Sequence, residues 1–182
     1  MSSTARISRG GLRQVGPFVW LFSRVAGRVA GTEPPGVFLT LGRNRRLFWG
    51  WLHFAGRLMP GGRLPRRETE LVILRVAARA GSDYEWAQHA TMGEKAGLTP
   101  PELAALGDVG DGSTYAWGAR DGMLVAVTDE LLERHDLSDE TWGLMAEHLD
   151  ERTRIELVML VGHYRMLATA LQTLRVVPDR PR

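Results

Sequence analysis

The sequence predicts an all-α protein, a helical bundle built around antiparallel helix hairpins. Three observations support this fold class. Apolar residues recur three and four positions apart along most of the chain, which is the spacing of one helix face. The segments with this spacing start at capping residues and stop at glycines, as at Ser82 and Gly97. We find no convincing alternation of apolar and polar residues, the pattern of a half-buried strand.

The size and composition predict one folded domain with an appended arm. The chain has 182 residues, of which 44% are hydrophobic and 24% charged, values near the globular average. No run reaches the roughly 18 apolar residues that a membrane span needs. An apolar stretch follows Arg13, but Arg24 and Arg28 interrupt it too early for a signal peptide. We therefore expect a cytoplasmic protein without a transmembrane segment.

The charge is distributed unevenly along the chain. Residues 1–66 contain eleven arginines and one acidic residue, Glu33, whereas residues 67–182 contain twenty acidic residues. Attraction between these two parts, within a subunit or between subunits, is the simpler interpretation. Nucleic-acid binding is the alternative, but no helix-turn-helix, zinc-finger or RNA-binding motif accompanies the arginines. No nucleic-acid partner is therefore expected.

The predicted domain organisation is a basic arm over residues 1–43, a helical domain over residues 44–177 and a tail over residues 178–182. A helix that begins at Pro17 gives the arm an apolar stripe. The stripe consists of Phe18, Leu21, Phe22, Val25 and Val29. Such a helix docks on its own chain or on another subunit more often than on a membrane surface. A cluster of glycines and prolines within residues 31–43 is expected to act as a hinge between the arm and the domain.

The helical domain begins with three long predicted helices. The first follows Asn44, a possible N-cap, and stops at Pro60. The next runs from Pro65 to Gly81, and its middle is apolar almost all round, which predicts a buried central helix. The third runs from Ser82 to Gly97, and the short link predicts an antiparallel hairpin with the central helix.

The remaining helices are shorter or less sharply bounded. Thr99 and Glu102 form a capping box that opens a helix ending at Leu106. A loop is predicted from Asp108 to Ser113. Helical patterns then cover residues 116–132, 139–149 and 152–174.

The predicted hairpin carries the densest set of ionisable groups near apolar residues. Glu85 and His89 are four residues apart, so they share one helix face and the carboxylate can orient the imidazole. Glu70, on the preceding helix, differs from His89 by only about 6 Å along the hairpin axis. These three residues are the candidate catalytic groups.

Structural roles are open for the same residues. Ser82 and Glu85 have the spacing of a capping box, in which Glu85 would fold back onto the start of its own helix. Glu70 could be an acid that favours a helix N-terminus, and His89 an ordinary core or surface histidine. A metal is not expected, because Glu85 and His89 supply two ligands where catalytic zinc usually takes three.

The same region resembles the carboxymuconolactone decarboxylase and alkyl hydroperoxidase D superfamily. The resemblance is clear over residues 62–106, and residues 156–166 look like the second half of the family. It rests on Gly62-Arg63-Leu64-Pro65, Glu70-Leu71-Val72-Ile73-Leu74, Tyr84-Glu85-Trp86 with His89, and Lys95-Ala96-Gly97-Leu98. The implied fold is the AhpD-like helical bundle, and the implied assembly is a homo-oligomer, a trimer or a hexamer.

The resemblance also excludes one activity. The hydroperoxidase branch opens its site helix with Cys-x-x-Cys-x-x-x-His, preceded by an acid. This chain has Ser82, Glu85 and His89 at those positions, keeps the acid as Glu70, and contains no cysteine. Thiol-dependent peroxide reduction is therefore not expected. The decarboxylase branch has the Glu and His four residues apart and acts on a carboxylated γ-lactone.

The function expected from this resemblance is a cofactor-independent lyase or proton-transfer enzyme on a small carboxylated metabolite. His89, oriented by Glu85, would be the general acid or base, and Glu70 would tune or relay the proton. Binding of the substrate is expected from two tyrosines and two arginines. They are Tyr84, Arg75, Tyr164 and Arg165. The alternative is a non-catalytic oligomeric or small-ligand-binding protein with the same fold.

Overall fold

The computed structural model describes residues 5–110 and 114–181 and folds them into ten helices. The helices are α1 (Leu12–Val15), α2 (Pro17–Ala30), α3 (Gly36–Leu41), α4 (Arg45–Leu58), α5 (Arg66–Ala80), α6 (Asp83–Ala96), α7 (Pro100–Gly107), α8 (Ala119–Arg134), α9 (Asp139–His148) and α10 (Glu151–Leu174). A single bridge between Thr32 and Pro181 is the nearest feature to a strand in these ranges. The all-α class is confirmed.

The central helix of the bundle is α5, as predicted. It packs against α6, α7, α8 and α10, and its residues from Thr69 to Ala77 are all buried. Gly81 ends α5 with a left-handed φ of 64°, a conformation that glycine adopts without strain. Ser82 then begins α6 directly, so α5 and α6 form the predicted hairpin.

Two predicted helix starts are confirmed by their capping bonds. The Asn44 side chain accepts a hydrogen bond from the Leu47 amide at the start of α4. At the start of α7, Glu102 Oε2 accepts a bond of 2.7 Å from the Thr99 amide. Of the predicted arm, loop and tail, residues 1–4, 111–113 and 182 lie outside the described residues.

The segment predicted as a hinge contains a helix. Pro35 precedes α3, whose residues Val37 and Thr40 are buried. This helix has six residues, too few for a helical periodicity to show in the sequence, and packing on neighbouring helices stabilises it. The prediction that residues 31–43 form a break between helices was therefore wrong.

The apolar stripe of α2 does not dock on its own chain. Phe18 and Val29 are 79% and 83% exposed, and only Phe22 reaches inward in part. The buried face consists instead of Val19, Ser23 and Gly27. An added Cβ on Gly27 would stand 2.7 Å from the Glu33 carbonyl oxygen, so glycine allows the chain to pass closely there.

Ion pairs connect the basic and acidic parts of the chain. Arg9 pairs with Asp179 at 2.7 Å, and Arg63 pairs with Asp150 at 3.0 Å. These contacts agree with the expected attraction between the two parts within one subunit. None of the helices in the described ranges combines the length and apolar character required to cross a membrane.

Candidate functional site

A cavity of about 490 Å³ lies between α2, α3, α4, α6 and α10. Its walls are mainly apolar and aromatic. The polar and ionisable residues that line it are Tyr84, Glu85, Gln88, His89, His163 and Tyr164, and large apolar neighbours include Phe22, Phe38 and Trp51. A cavity of this size can enclose a small organic molecule.

The hairpin brings Glu70 and His89 together at the cavity wall. Glu70 Oε2 lies 2.7 Å from His89 Nδ1, and the Glu70 side chain is fully buried. His89 Nε2 makes no hydrogen bond to the described residues. When Nδ1 donates its hydrogen to Glu70, Nε2 presents a lone pair, which is the arrangement of a general base. The hairpin register estimated from the sequence thus agrees with a direct contact to His89. The residue that makes this contact is Glu70 and not Glu85.

The buried Glu70 carboxylate has a counter-ion. Arg66 lies one turn earlier on α5, and its Nη2 atom stands 2.6 Å from Glu70 Oε1. Oε1 makes no hydrogen bond to the described residues, so Arg66 is its partner in an ion pair alone. Arg66 is partly exposed, which links the buried pair electrostatically to the protein surface.

Glu85 is not a helix cap. Its two carboxyl oxygens are buried and have no hydrogen-bond partner among the described residues, and Ser82 makes no side-chain cap bond. Burial raises the pKa of the Glu85 carboxyl to about 7, and the nearby Ser82 hydroxyl offsets this rise in part. A carboxyl group with this pKa exchanges its proton near neutral pH, which suits acid–base chemistry.

Two tyrosines complete the polar part of the wall. The Tyr164 ring stands edge-on to the His89 ring at 5.2 Å, and burial together with Glu70 and Glu85 raises the pKa of its phenol. Tyr84 donates to Asp179 Oδ2 over 2.7 Å, so its hydroxyl is occupied by the C-terminal tail. Tyr164 is the tyrosine whose ring contacts the candidate base.

The two predicted substrate-binding arginines lie outside the cavity lining. Arg75 is buried elsewhere, where it binds both carboxylate oxygens of Asp129 at 2.7 Å and donates to two backbone carbonyls. Arg165 is exposed and donates to the Leu132 carbonyl oxygen at 2.9 Å. Neither guanidinium is in place to hold a substrate carboxylate in this cavity.

His163 and Trp51 were not among the predicted site residues, yet both line the cavity. Their rings lie nearly parallel, with centroids 6.2 Å apart. Burial lowers the pKa of His163 to about 4, so its imidazole is neutral at physiological pH. His163 precedes Tyr164 in the sequence, and this neighbour of a candidate residue was the available signal. Within the described ranges, no group of three or more His, Cys, Asp or Glu side chains could hold a metal ion.

Comparison with known proteins supports a family assignment. Residues 45–128 match the model of the carboxymuconolactone decarboxylase family. None of the curated proteins matches the sequence. The fold is similar to that of solved structures over almost the whole chain, at sequence identities that show the fold alone.

Three of these structures illustrate the similarity. A peroxidase-related protein from Ralstonia eutropha JMP134 with an alkylhydroperoxidase AhpD core has a TM-score of 0.83 at 15% identity, covering 98% of this chain and 94% of its own. One from Silicibacter sp. TM1040 has a TM-score of 0.82 at 14% identity, covering 98% and 95%. A debrominase has a TM-score of 0.74 at 14% identity, covering 98% and 94%.

Residues 45–128 thus match the carboxymuconolactone decarboxylase family, and the chain has the fold of AhpD-like proteins. The chain contains no cysteine, so the thiol chemistry of the hydroperoxidase branch has no nucleophile here.

Proposed function

We propose that the protein is a cofactor-independent enzyme that transfers a proton at a carbon atom of a small molecule held in the cavity. One observation carries this proposal: the buried bond of 2.7 Å between Glu70 and His89, which leaves the second ring nitrogen of His89 without a partner. A carboxylate behind an imidazole stabilises the imidazolium that forms when the imidazole accepts a proton. His89 is therefore the general base, and Glu70 is its positioning residue.

Glu85 has the complementary role in this proposal. Its carboxyl lines the same cavity, and its pKa of about 7 allows it to donate a proton near neutral pH. Nε2 of His89 removes a proton from a carbon next to a carbonyl group, and the electron pair moves onto the carbonyl oxygen. In a substrate with a β,γ double bond, the enolate extends over that bond, and Glu85 then protonates it at the γ-carbon. The net change is a shift of one hydrogen, and the proton on His89 returns to Glu85 through water.

A carboxy-lyase reaction is the form that the decarboxylase branch suggests. Here the bond to the carboxylate breaks, carbon dioxide leaves, and the electron pair on carbon takes a proton from Glu85 or protonated His89. A small carboxylated, lactone-like substrate would suit this reaction. Arg75 and Arg165 lie outside the cavity lining and do not offer a counter-ion to the carboxylate of that substrate, so simple proton transfer is the better-supported reaction.

Hydrogen exchange tests the proposal directly. The protein is incubated in D2O with neutral lactones and cyclic ketones, and loss of the α-proton signal is followed by NMR. An ultraviolet assay with carboxymuconolactone and β-keto acids is run beside it. We expect exchange in the wild type and its loss in His89→Ala. The control is His53→Ala, which alters an exposed histidine on α4. Equal exchange rates in His89→Ala and the wild type would remove His89 from the mechanism.

A non-catalytic small-ligand-binding protein is the second candidate function. The mainly apolar cavity favours it independently of any ionisable group. Ligand binding that is the same in the wild type and His89→Ala, with exchange in neither protein, would support this function.

We also propose a homo-oligomer, in keeping with the resemblance. A shallow groove of about 680 Å³ between α4 and α10 is almost wholly apolar and is lined by exposed Leu47 and Met166. Contiguous apolar surface of this kind is typical of protein interfaces. Light scattering during size-exclusion chromatography distinguishes a trimer or hexamer from a monomer. Location in the cytoplasm stays a prediction.

A further inference from the structure

The charges at the cavity wall restrict the molecules that it can hold. Among the described residues that line it there is no arginine or lysine, and Glu85 is the one carboxylic acid. An anion would leave water without gaining a counter-ion and would lie beside a carboxyl group. Both effects strongly oppose binding of a carboxylate or phosphate.

Several buried polar atoms of the wall have no hydrogen-bond partner among the described residues. They are both carboxyl oxygens of Glu85, Nε1 of Trp51 and Nδ1 of His163. Buried polar atoms in folded proteins are almost always bonded. The carboxylate oxygens accept hydrogen bonds, whereas the Trp51 indole donates one. A bound molecule with one donor and one acceptor would pair with one Glu85 oxygen and with the Trp51 indole, two of these four atoms.

The shape of the wall favours a ring. Trp51 and His163 are stacked with an angle of 18° between their planes. Phe38 stands edge-on to Trp51 at 6.0 Å. Flat aromatic faces of this kind pack well against another ring, through stacked or edge-on contacts. The volume of about 490 Å³ accommodates a molecule of one or two rings.

We propose that the cavity binds an uncharged, ring-containing molecule of low polarity whose O–H or N–H group donates a hydrogen bond to Glu85. An acceptor atom on the same molecule pairs with the Trp51 indole. This inference rests on the proposed function, because it concerns the same cavity, and it replaces the expected carboxylated substrate class with a neutral one.

Four probes of matched size test the charge and the hydrogen bond. They are 4-methylphenol, 4-methylanisole, 4-methylbenzoate and 4-methylbenzylamine, titrated calorimetrically into the full-length protein at pH 7.5. We expect 4-methylphenol to bind about tenfold more tightly than 4-methylanisole, the effect of one hydrogen bond. The anionic probe is expected to bind more weakly than either neutral probe, because the wall offers it no arginine or lysine as a counter-ion.

Variants of α6 assign the hydrogen bond to Glu85. Glu85→Leu removes the acceptor and is expected to lower the affinity for 4-methylphenol about tenfold, without changing that for 4-methylanisole. Glu85→Gln keeps an acceptor and should bind 4-methylphenol nearly as well as the wild type. Glu94→Leu, an exposed position on the same helix, is the control. Circular dichroism confirms that each variant is folded.

The outcomes separate this inference from the proposed function. Tighter binding of 4-methylbenzoate or 4-methylbenzylamine than of 4-methylphenol would overturn the neutral class, and so would failure of all four probes to bind. The expected order of affinities without any hydrogen exchange would support the inference and contradict the enzyme. Exchange lost in His89→Ala, together with a preference for 4-methylbenzoate, would support the enzyme and contradict the inference.

Discussion

Arg9 and Asp179 are 170 residues apart in the sequence, and Arg9 Nη2 donates to Asp179 Oδ1 over 2.7 Å. The same oxygen accepts from the Gly36 amide, at the start of α3, over 2.8 Å. The other oxygen accepts from Tyr84 on α6. Both helices form walls of the cavity, so one carboxylate in the C-terminal tail fixes the arm against the candidate site.

Removal of this carboxylate should loosen the arm. Asp179→Ala leaves the Gly36 amide and the Tyr84 hydroxyl without their partner, and we expect unfolding free energy to fall by about 2 kcal/mol. This figure allows for partial exposure of Arg9. Urea unfolding measures it, with exposed Glu133→Ala as the control. Equal losses in both variants would contradict the structural role.

Glu85 should make the protein less stable as the pH rises. Its folded pKa of about 7 exceeds the ordinary value of 4.5. Between these values the folded state keeps a proton that the unfolded state releases, so stability falls as pH rises through this window, by up to about 3 kcal/mol. Glu85→Gln should remove this loss and be more stable than the wild type at pH 8. Urea unfolding at pH 4.5 and 8 checks this, and parallel pH profiles for the two proteins would contradict it.

His163 should make the protein less stable at acidic pH. Its folded pKa of about 4 lies below the ordinary value of 6.5. The unfolded state therefore gains a proton first, and stability is lost as pH falls from 6.5 to 4, by up to about 3 kcal/mol. His163→Leu should flatten the profile in this window, whereas exposed His53→Leu should not. Unfolding at pH 4.5 and 7 compares them, and an unchanged acid slope in His163→Leu would count against the assignment.

The arginines predicted to bind substrate should differ in their effect on folding. Arg75→Met leaves Asp129 and two carbonyl oxygens without their donor, and we expect a loss of about 3 kcal/mol or more. Arg165→Met, at an exposed position, should cost less than about 1 kcal/mol. Thermal unfolding compares the two, and Asp129→Asn provides a milder second test of the Arg75 pair. Weaker binding of a neutral probe to the folded Arg165→Met variant would show that this arginine contributes to the site.

The contact between Glu70 and His89 was accessible to sequence reasoning because it is local. Both residues lie on one hairpin whose link is fixed by Gly81 and Ser82, so helix geometry alone aligned them. The same reasoning could not choose between capping and a cavity position for Glu85. That choice depends on which direction the side chain takes, and packing from other helices decides it.

The rest of the site depends on contacts between distant parts of the chain. The position of Arg75 could not be predicted, because its partner Asp129 is 54 residues away in the sequence, beyond the reach of a local pattern. The cavity wall from α2 and α3 was missed for a similar reason. A short helix such as α3 has little periodicity, and its position becomes defined only when it packs on Tyr84 and the C-terminal tail.

The cavity is built from two parts of the chain that have different roles. Glu70, Glu85 and His89 all come from one hairpin, whereas the surfaces that face them come from α4 and from α2, α3 and α10, near the two ends of the chain. Substitutions in the arm or in the last helix can therefore change the shape of the cavity without altering the three candidate catalytic residues. A chain shortened to residues 45–128 would keep those groups and lose the enclosure. Selectivity could thus diverge among relatives, or be redesigned, by exchange of the chain ends around an unchanged hairpin.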